Sequence, residues 1–259
     1  MEIALSISPC PNDTFMFDAM LNRPTLERDI EFSTSYFDIE ELNARVIEGI
    51  PQVSKISAAI LPLITDRYRV LDAGAALGRG NGPLMVRRKG DTCPIRRVVV
   101  PGMHTTANLL VERLFPSVVE REPMLFSSIA ASVERGEYDA GVLIHEGRFV
   151  YAERNLSLVA DLGEMWEEKT GLPLPLGLIV VRRDVEERVA DQIEKMLRES
   201  IAEAFRNPTL SRDYIKSHAQ EIDDDVISKH IALFVNEFSL SLGDEGRAAI
   251  ETLTGCKVE

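Results

Sequence analysis

Short apolar runs alternate with helical periods along the first two-thirds of the chain, and this alternation constrains the fold more than any other feature. The middle of the chain shows it most plainly. Arg97 to Val100 reads as a buried strand and Pro101-Gly102 as a turn, after which Thr105 or Thr106 starts a helix running to about Phe115. Met124 to Phe126 reads as a strand, and 127–135 as a helix opened by Ser127 and Ser128. Ala140 to Ile144 is another buried strand, ending at His145. Repetition of this kind is the signature of βαβ units around a parallel sheet.

The flanking segments extend the pattern. Ile3, Leu5 and Ile7 alternate as a strand that Pro9 and Pro11 end, and 12–22 reads as a helix capped by Asn12 or Asp13. Glu31 to Phe37 is a strand, followed by a helix at 38–49 capped by Asp38. Pro51 to Ile56 is extended and Ser57 to Asp66 helical. Val70-Leu71 and Leu84 to Arg87 are strands separated by a glycine-rich turn at 78–82. Leu156 to Val159, a short helix near 163–169 and a strand at Gly177 to Val181 follow, and beyond them the chain turns helical. Asp184 is placed to cap a long helix with Val185, Val189, Ile193, Met196, Leu197, Ile201 and Phe205 on one face. A second helix carries Ile227, Ile231, Phe234, Val235 and Phe238.

The expected architecture is α/β with two lobes, each a mixed, mostly parallel sheet flanked by helices, and a helical C-terminal region. Residues 1–92 with 175–259 would form a discontinuous first lobe and 93–174 the second. A chain that leaves a lobe and returns leaves a cleft between two crossovers, a favoured place for ligands.

Composition narrows the function. With 259 residues, 45% of them apolar, the chain can bury a large core. The formal net charge of −13 argues against a nucleic-acid groove, which needs a basic face. No apolar run approaches the roughly 18 residues that span a bilayer, so no membrane partner is expected, and the start of the chain lacks the features of an export signal. Three scattered cysteines form no disulfide framework and fit a reducing cytoplasm. Four histidines without HxxH or HExxH spacing make a transition-metal site an unfavoured reading. A homodimer is among the assemblies the sequence leaves open.

Four constellations could carry chemistry, each with a plainer structural reading beside it. Ser8 to Phe15 joins a strand to a helix through two prolines, with Asn12 and Asp13 facing the helix start. A stiff capped connector is the plainer reading of the two and the one the spacing favours. Cys10 lies in the same segment, where a helix N-terminus can lower a thiol pKa. Alternation puts Lys55 and Ser57 on one side of an extended segment, able to hold an anion, or simply a surface lysine and a cap. Pro101 to Ala107 leads from a buried strand to a helix N-terminus, where free N–H groups and the hydroxyls of Thr105 and Thr106 could bind a carboxylate. His145 ends the run Val142-Leu143-Ile144 and could exchange a proton near neutral pH; Glu146 could orient it, although adjacent strand side chains point to opposite faces, and a hydrogen-bonded structural histidine is the other reading. His218 and His230 read as structural or exposed. The Trp166 segment, with its rigid proline strap, reads as packing at the return between lobes.

These motifs occur in a recognisable order: SPCPNDTF at 8–15, SKIS at 54–57, ALGRGNGPL at 76–84, PGMHTTA at 101–107, IHEGRF at 144–149 and WEEKTGLPLPLG at 166–177. Together they resemble the 1,4-dihydroxy-6-naphthoate synthase family of the futalosine route to menaquinone, over essentially the whole chain. The resemblance implies a periplasmic-binding-protein-like fold of type II, used in a cytoplasmic enzyme that acts on cyclic dehypoxanthinyl futalosine, a small-molecule carboxylate. It implies His145 as proton acceptor, Lys55, Ile56 and Ser57 as one substrate-binding segment, and Thr105, Thr106 and Ala107 as the second. Carbon–carbon cleavage with aromatisation would need neither metal nor redox cofactor. Two alternatives stand beside it: chorismate dehydratase, a different lyase on the same fold, and a non-catalytic small-anion-binding protein.

Overall fold

A computed structural model describes residues 1–23, 30–145, 147–219 and 223–258. Two mixed sheets organise the chain. The first is ordered β2-β1-β3-β11-β4, with β5 also paired to β11, from strands β1 Glu2–Ile7, β2 Glu31–Tyr36, β3 Val53–Ser57, β4 Tyr68–Val70, β5 Ala76–Gly78 and β11 Leu174–Arg182. The second is ordered β10-β6-β9-β7-β8, from β6 Leu84–Arg88, β7 Arg97–Val100, β8 Glu120–Pro123, β9 Ala140–Leu143 and β10 Leu156–Asp161.

Helices α1 Pro11–Asn22 and α2 Ile39–Ile47 follow β1 and β2, and α3 Thr106–Leu114 and α4 Phe126–Glu134 follow β7 and β8. A short α5 Gly147–Val150 leads to β10, and α6 Leu162–Thr170 leads to the return strand β11. The tail comprises α7 Glu187–Arg206, α8 Arg212–His218, α9 Asp224–Phe234, α10 Glu237–Leu240 and α11 Gly243–Thr254.

The sheets are mixed rather than mostly parallel, and the cause is the crossing between lobes. β1 with β2, β1 with β3, β7 with β8 and β7 with β9 are parallel. β6 and β11 enter their sheets from the cleft, whereas β3, β7 and β9 run toward it. So β6 is antiparallel to β9, and β11 to β3. The sheets also change over between β5 and β6, at about 79–83 rather than at 92, because β6 belongs to the second sheet.

Alternation assigns the two faces of the first sheet. Ile56 of β3 and Leu178 and Val180 of β11 point into one core with α11. Val53, Ile179 and Val181 point into another, against Ile193, Leu197 and Ile201 of α7. Each large aliphatic side chain on α7 that is buried this way contributes about 1.5–3 kcal/mol. Several local expectations shift. α7 begins at Glu187, and Asp184 does not cap it; its Oδ1 accepts from Arg182 Nε at 2.7 Å instead. Phe205 is 42% exposed. The strand expected at 124–126 lies at Glu120–Pro123, and α4 begins at Phe126 behind Leu125, not behind Ser127 or Ser128. β8 is an edge strand, where charged residues are tolerated and the apolar pattern is lost. Phe238 sits on α10, separate from the helix that carries Ile227.

Candidate active site

A cleft of about 680 Å³, counting the open solvent at its mouth, lies between the two sheets. Its wall collects the carboxyl ends of β3 and β9, the N-terminus of α3, the starts of β6 and β11, and one face of α9. Strand ends and helix starts converge here because the sheets face each other across the two crossovers.

His145 stands at the end of β9, on the wall, as the chain leaves the sheet. It is the one residue other than glycine with a positive φ among those described, at 53°. A left-handed residue turns the chain sharply at the strand end, a conformation histidine adopts more readily than branched residues do. Cys10 Sγ lies 3.3 Å from Nδ1 and 3.8 Å from Nε2. The Phe126 ring meets the imidazole edge to face at 4.9 Å, and His230 stacks beside it at 5.9 Å. The ring is thus held by first-lobe and second-lobe groups together. Glu146, expected to orient it, lies outside the described residues.

Lys55 and Ser57 share the cleft side of β3, as alternation requires, while the Ile56 side chain is fully buried on the opposite face and joins the core. Lys55 is itself 5% exposed. Its Nζ donates to Asp13 Oδ1 at 2.6 Å. Asp13 is completely buried behind the wall, whereas Asn12 reaches the cleft. Gly177 of β11 leaves room for the lysine stem.

Asn43 of α2 sets the direction of the Ser57 hydroxyl. Its Nδ2 donates to Ser57 Oγ at 3.0 Å, and its Oδ1 accepts from Ser57 N at 2.8 Å. With Oγ already accepting, its own hydrogen is available to a ligand. The same Nδ2 donates to His104 O of the second lobe at 3.3 Å. Glu40, one turn earlier, accepts from His104 N at 3.1 Å and meets Nδ1 at 2.7 Å. Gly102 gives Glu40 room there, since a Cβ would fall 2.2 Å from Glu40 Oε2 and 2.8 Å from Glu40 Cβ.

The α3 N-terminus departs from expectation in one respect. Both threonine hydroxyls are committed inside the protein. Thr105 Oγ1 donates to Gly102 O at 2.7 Å and caps Asn108 N. Thr106 Oγ1 donates to Leu176 O at 3.1 Å and accepts from Ala59 N at 3.3 Å, joining the lobes. The groups left for an anion are the first-turn backbone N–H groups of Thr106 and Ala107, which have no partner inside the helix, and the dipole behind them.

Two cleft residues escaped the sequence reading. Arg148 of α5 lines the wall and donates to Asp161 Oδ2 at 3.0 Å. Asp161 in turn caps α6 through Gly163 N and Glu164 N. Burial pushes its carboxyl up, and the α6 amides and Arg148 pull it back. His230 of α9 is 2% exposed, lines the cleft and contacts Asn12. Burial, above all, pushes its imidazole well below the ordinary range, and the neighbouring His145, Lys55 and Arg148 add to the shift. Only the IHEGRF segment hinted at Arg148, and no local pattern marked His230. The Trp166 segment is packing: Nε1 donates to Pro173 O at 3.1 Å.

Two lobes around a shared cleft define a periplasmic-binding-protein-like architecture. A Candida albicans protein described as having the generic periplasmic binding protein fold superposes with a TM-score of 0.71 at 12% identity, covering 98% of this chain and 89% of that one. That likeness concerns the fold alone. A family model described as menaquinone biosynthesis matches residues 3–259. The 1,4-dihydroxy-6-naphthoate synthase of Thermus thermophilus is 42% identical over 97% of this chain and 92% of its own length. That of Streptomyces coelicolor is 41% identical over 97% of this chain and 91% of its own. The chain belongs to the menaquinone-biosynthesis family in which these 1,4-dihydroxy-6-naphthoate synthases fall. Among the described residues no helix is long and apolar enough to cross a membrane.

Proposed function

We propose that this chain is a carbon–carbon lyase that converts cyclic dehypoxanthinyl futalosine to 1,4-dihydroxy-6-naphthoate in the cytoplasm. The observation that carries this reading is the placement of His145 on the wall of one cleft with Ser57 and the α3 N-terminus. The substrate carboxylate accepts from the amides of Thr106 and Ala107 and from the Ser57 hydroxyl. Partly buried contacts at a helix terminus are worth up to about 2 kcal/mol. His145, in its neutral form, takes a proton from the substrate. A carbon–carbon bond then breaks, the new ring becomes aromatic, and the naphthoate and a sugar-derived fragment leave. A positioned base contributes about 10²–10⁴-fold, and water exclusion between the lobes adds to it.

Incubation of the purified protein with cyclic dehypoxanthinyl futalosine and, separately, with chorismate tests the reading by product absorbance. Naphthoate formed from the first supports it. Turnover of chorismate assigns the dehydratase reaction instead, and binding without consumption of either makes the chain an anion binder.

A further inference from the structure

Behind the cleft, a chain of buried hydrogen bonds fixes the proton positions on His230. Asp13 is its inner end. Oδ1 accepts from Lys55 Nζ at 2.6 Å and Asn12 Nδ2 at 3.0 Å; Oδ2 accepts from Ser8 N at 3.1 Å and Ser8 Oγ at 2.7 Å. A carboxylate paired with an ammonium only accepts, so Asn12 turns its NH₂ toward Asp13. The Asn12 Oδ1 therefore faces His230 Nε2, at 3.1 Å. That oxygen also only accepts, so Nε2 carries the hydrogen. A neutral imidazole has one N–H, and Nδ1 is left as a bare acceptor.

His230 Nδ1 is buried and, among the described residues, has no hydrogen-bond partner. Buried polar atoms in native proteins are nearly always satisfied, and an exception calls for an explanation. Here the ring lines the cleft, between Asn12 and Phe234 and beside His145. A group that satisfies Nδ1 must donate. A carboxylate or a ketone cannot do so, and a hydroxyl can.

We propose that His230 is a substrate-binding residue whose Nδ1 accepts a hydrogen bond from a hydroxyl on the sugar-derived part of the substrate. This role rests on the lyase reading, and it assigns the two ends of the ligand: the anionic end at α3 and Ser57, the hydroxyl-bearing end at α9. Asn12 and Asp13 then act as positioning residues, because they hold the tautomer that leaves Nδ1 open.

Two variants separate binding from packing. His230→Gln places its amide near Nε2, keeps the bond to Asn12 and loses the acceptor at Nδ1. Its KM for cyclic dehypoxanthinyl futalosine is expected to rise about tenfold with kcat and melting temperature little changed. His230→Asn keeps an acceptor near Nδ1 and gives up the bond to Asn12, so KM stays within about threefold of wild type while stability falls. An active wild type with unchanged KM in His230→Gln overturns the role of His230 alone. If His230→Gln does not fold, a tenfold rise in KM for His230→Asn overturns it. A wild type that does not turn the substrate over overturns the lyase reading and the ligand named here together. Nitrogen NMR of the full chain with ¹⁵N-labelled histidine reads the tautomer without any substrate: a bare Nδ1 on His230 supports the assignment, and a hydrogen on Nδ1 overturns it.

Discussion

The stem of Lys55 crosses Gly177 so closely that a β-carbon there would lie 2.4 Å from Lys55 Cε. The two residues sit on adjacent antiparallel strands, with Gly177 opposite Ser57. Gly177→Ala must therefore push the ammonium away from Asp13 or pry β11 from β3. A loss of about 1–3 kcal/mol in unfolding free energy is expected, together with a raised KM. Urea unfolding and steady-state kinetics measure both, and an alanine variant indistinguishable from wild type would show that the lysine does not need this space.

Removing the other partner tests the ion pair itself. Asp13→Asn leaves a buried ammonium without its countercharge, and the loss should be about 3–5 kcal/mol. Replacing Lys55 with methionine in the same chain removes the stranded charge and should recover a large part of that loss. Chemical denaturation of the single and double variants gives the coupling directly.

His145→Ala should lower kcat by at least about 10²-fold while KM changes little, as expected when a base acts in the transition state. Near-normal turnover in the purified variant would remove this imidazole from the proton transfer.

Ser57 and Thr106 should behave differently despite lying on the same wall. The Ser57 hydroxyl accepts from Asn43 and keeps its hydrogen for a ligand, so Ser57→Ala should raise KM about tenfold and leave the melting temperature nearly unchanged. The Thr106 hydroxyl is spent on Leu176 and Ala59, so Thr106→Val should cost about 1–3 kcal/mol of stability. Calorimetry alongside kinetics separates the two, and equal behaviour would contradict the assignment.

Stability should also fall on mild acidification because of His230. Its folded pKa is depressed, by burial first and then by the neighbouring His145, Lys55 and Arg148. The unfolded chain therefore binds a proton that the folded one refuses. The contribution is fully present above the unfolded value near pH 6.5 and declines as pH drops below it, by up to about 1.4 kcal/mol per unit. Melting wild type and His230→Gln between pH 7 and pH 5 should show a steeper decline in the wild type.

Much of this site was legible in the chain because its groups sit at local boundaries. The end of a buried strand placed His145, a helix start placed Thr105 to Ala107, and period-two alternation put Lys55 and Ser57 on one side with Ile56 on the other. The missing parts depend on contacts across long sequence distances. His230 is 218 positions from Asn12, its hydrogen-bond partner. An amphipathic helix announces which face is apolar, not which buried polar residue meets a cleft. The commitment of the Thr106 hydroxyl was equally hidden, since Ala59 and Leu176 approach it only after both crossovers have formed. The crossover near 79–83 escaped notice because β6 reads as a strand in either sheet.

The two long cationic side chains on the cleft wall, Lys55 and Arg148, each meet a carboxylate, Asp13 and Asp161, that is largely withdrawn from solvent. An organic acid of the kind proposed would therefore meet amide dipoles and the Ser57 hydroxyl hydrogen in an already neutralised chamber. Added electrolyte screens exposed charges far more than such short-range contacts, so the affinity these contacts supply should change little with ionic strength, while salt relieves the long-range repulsion of an anion by the net charge of −13.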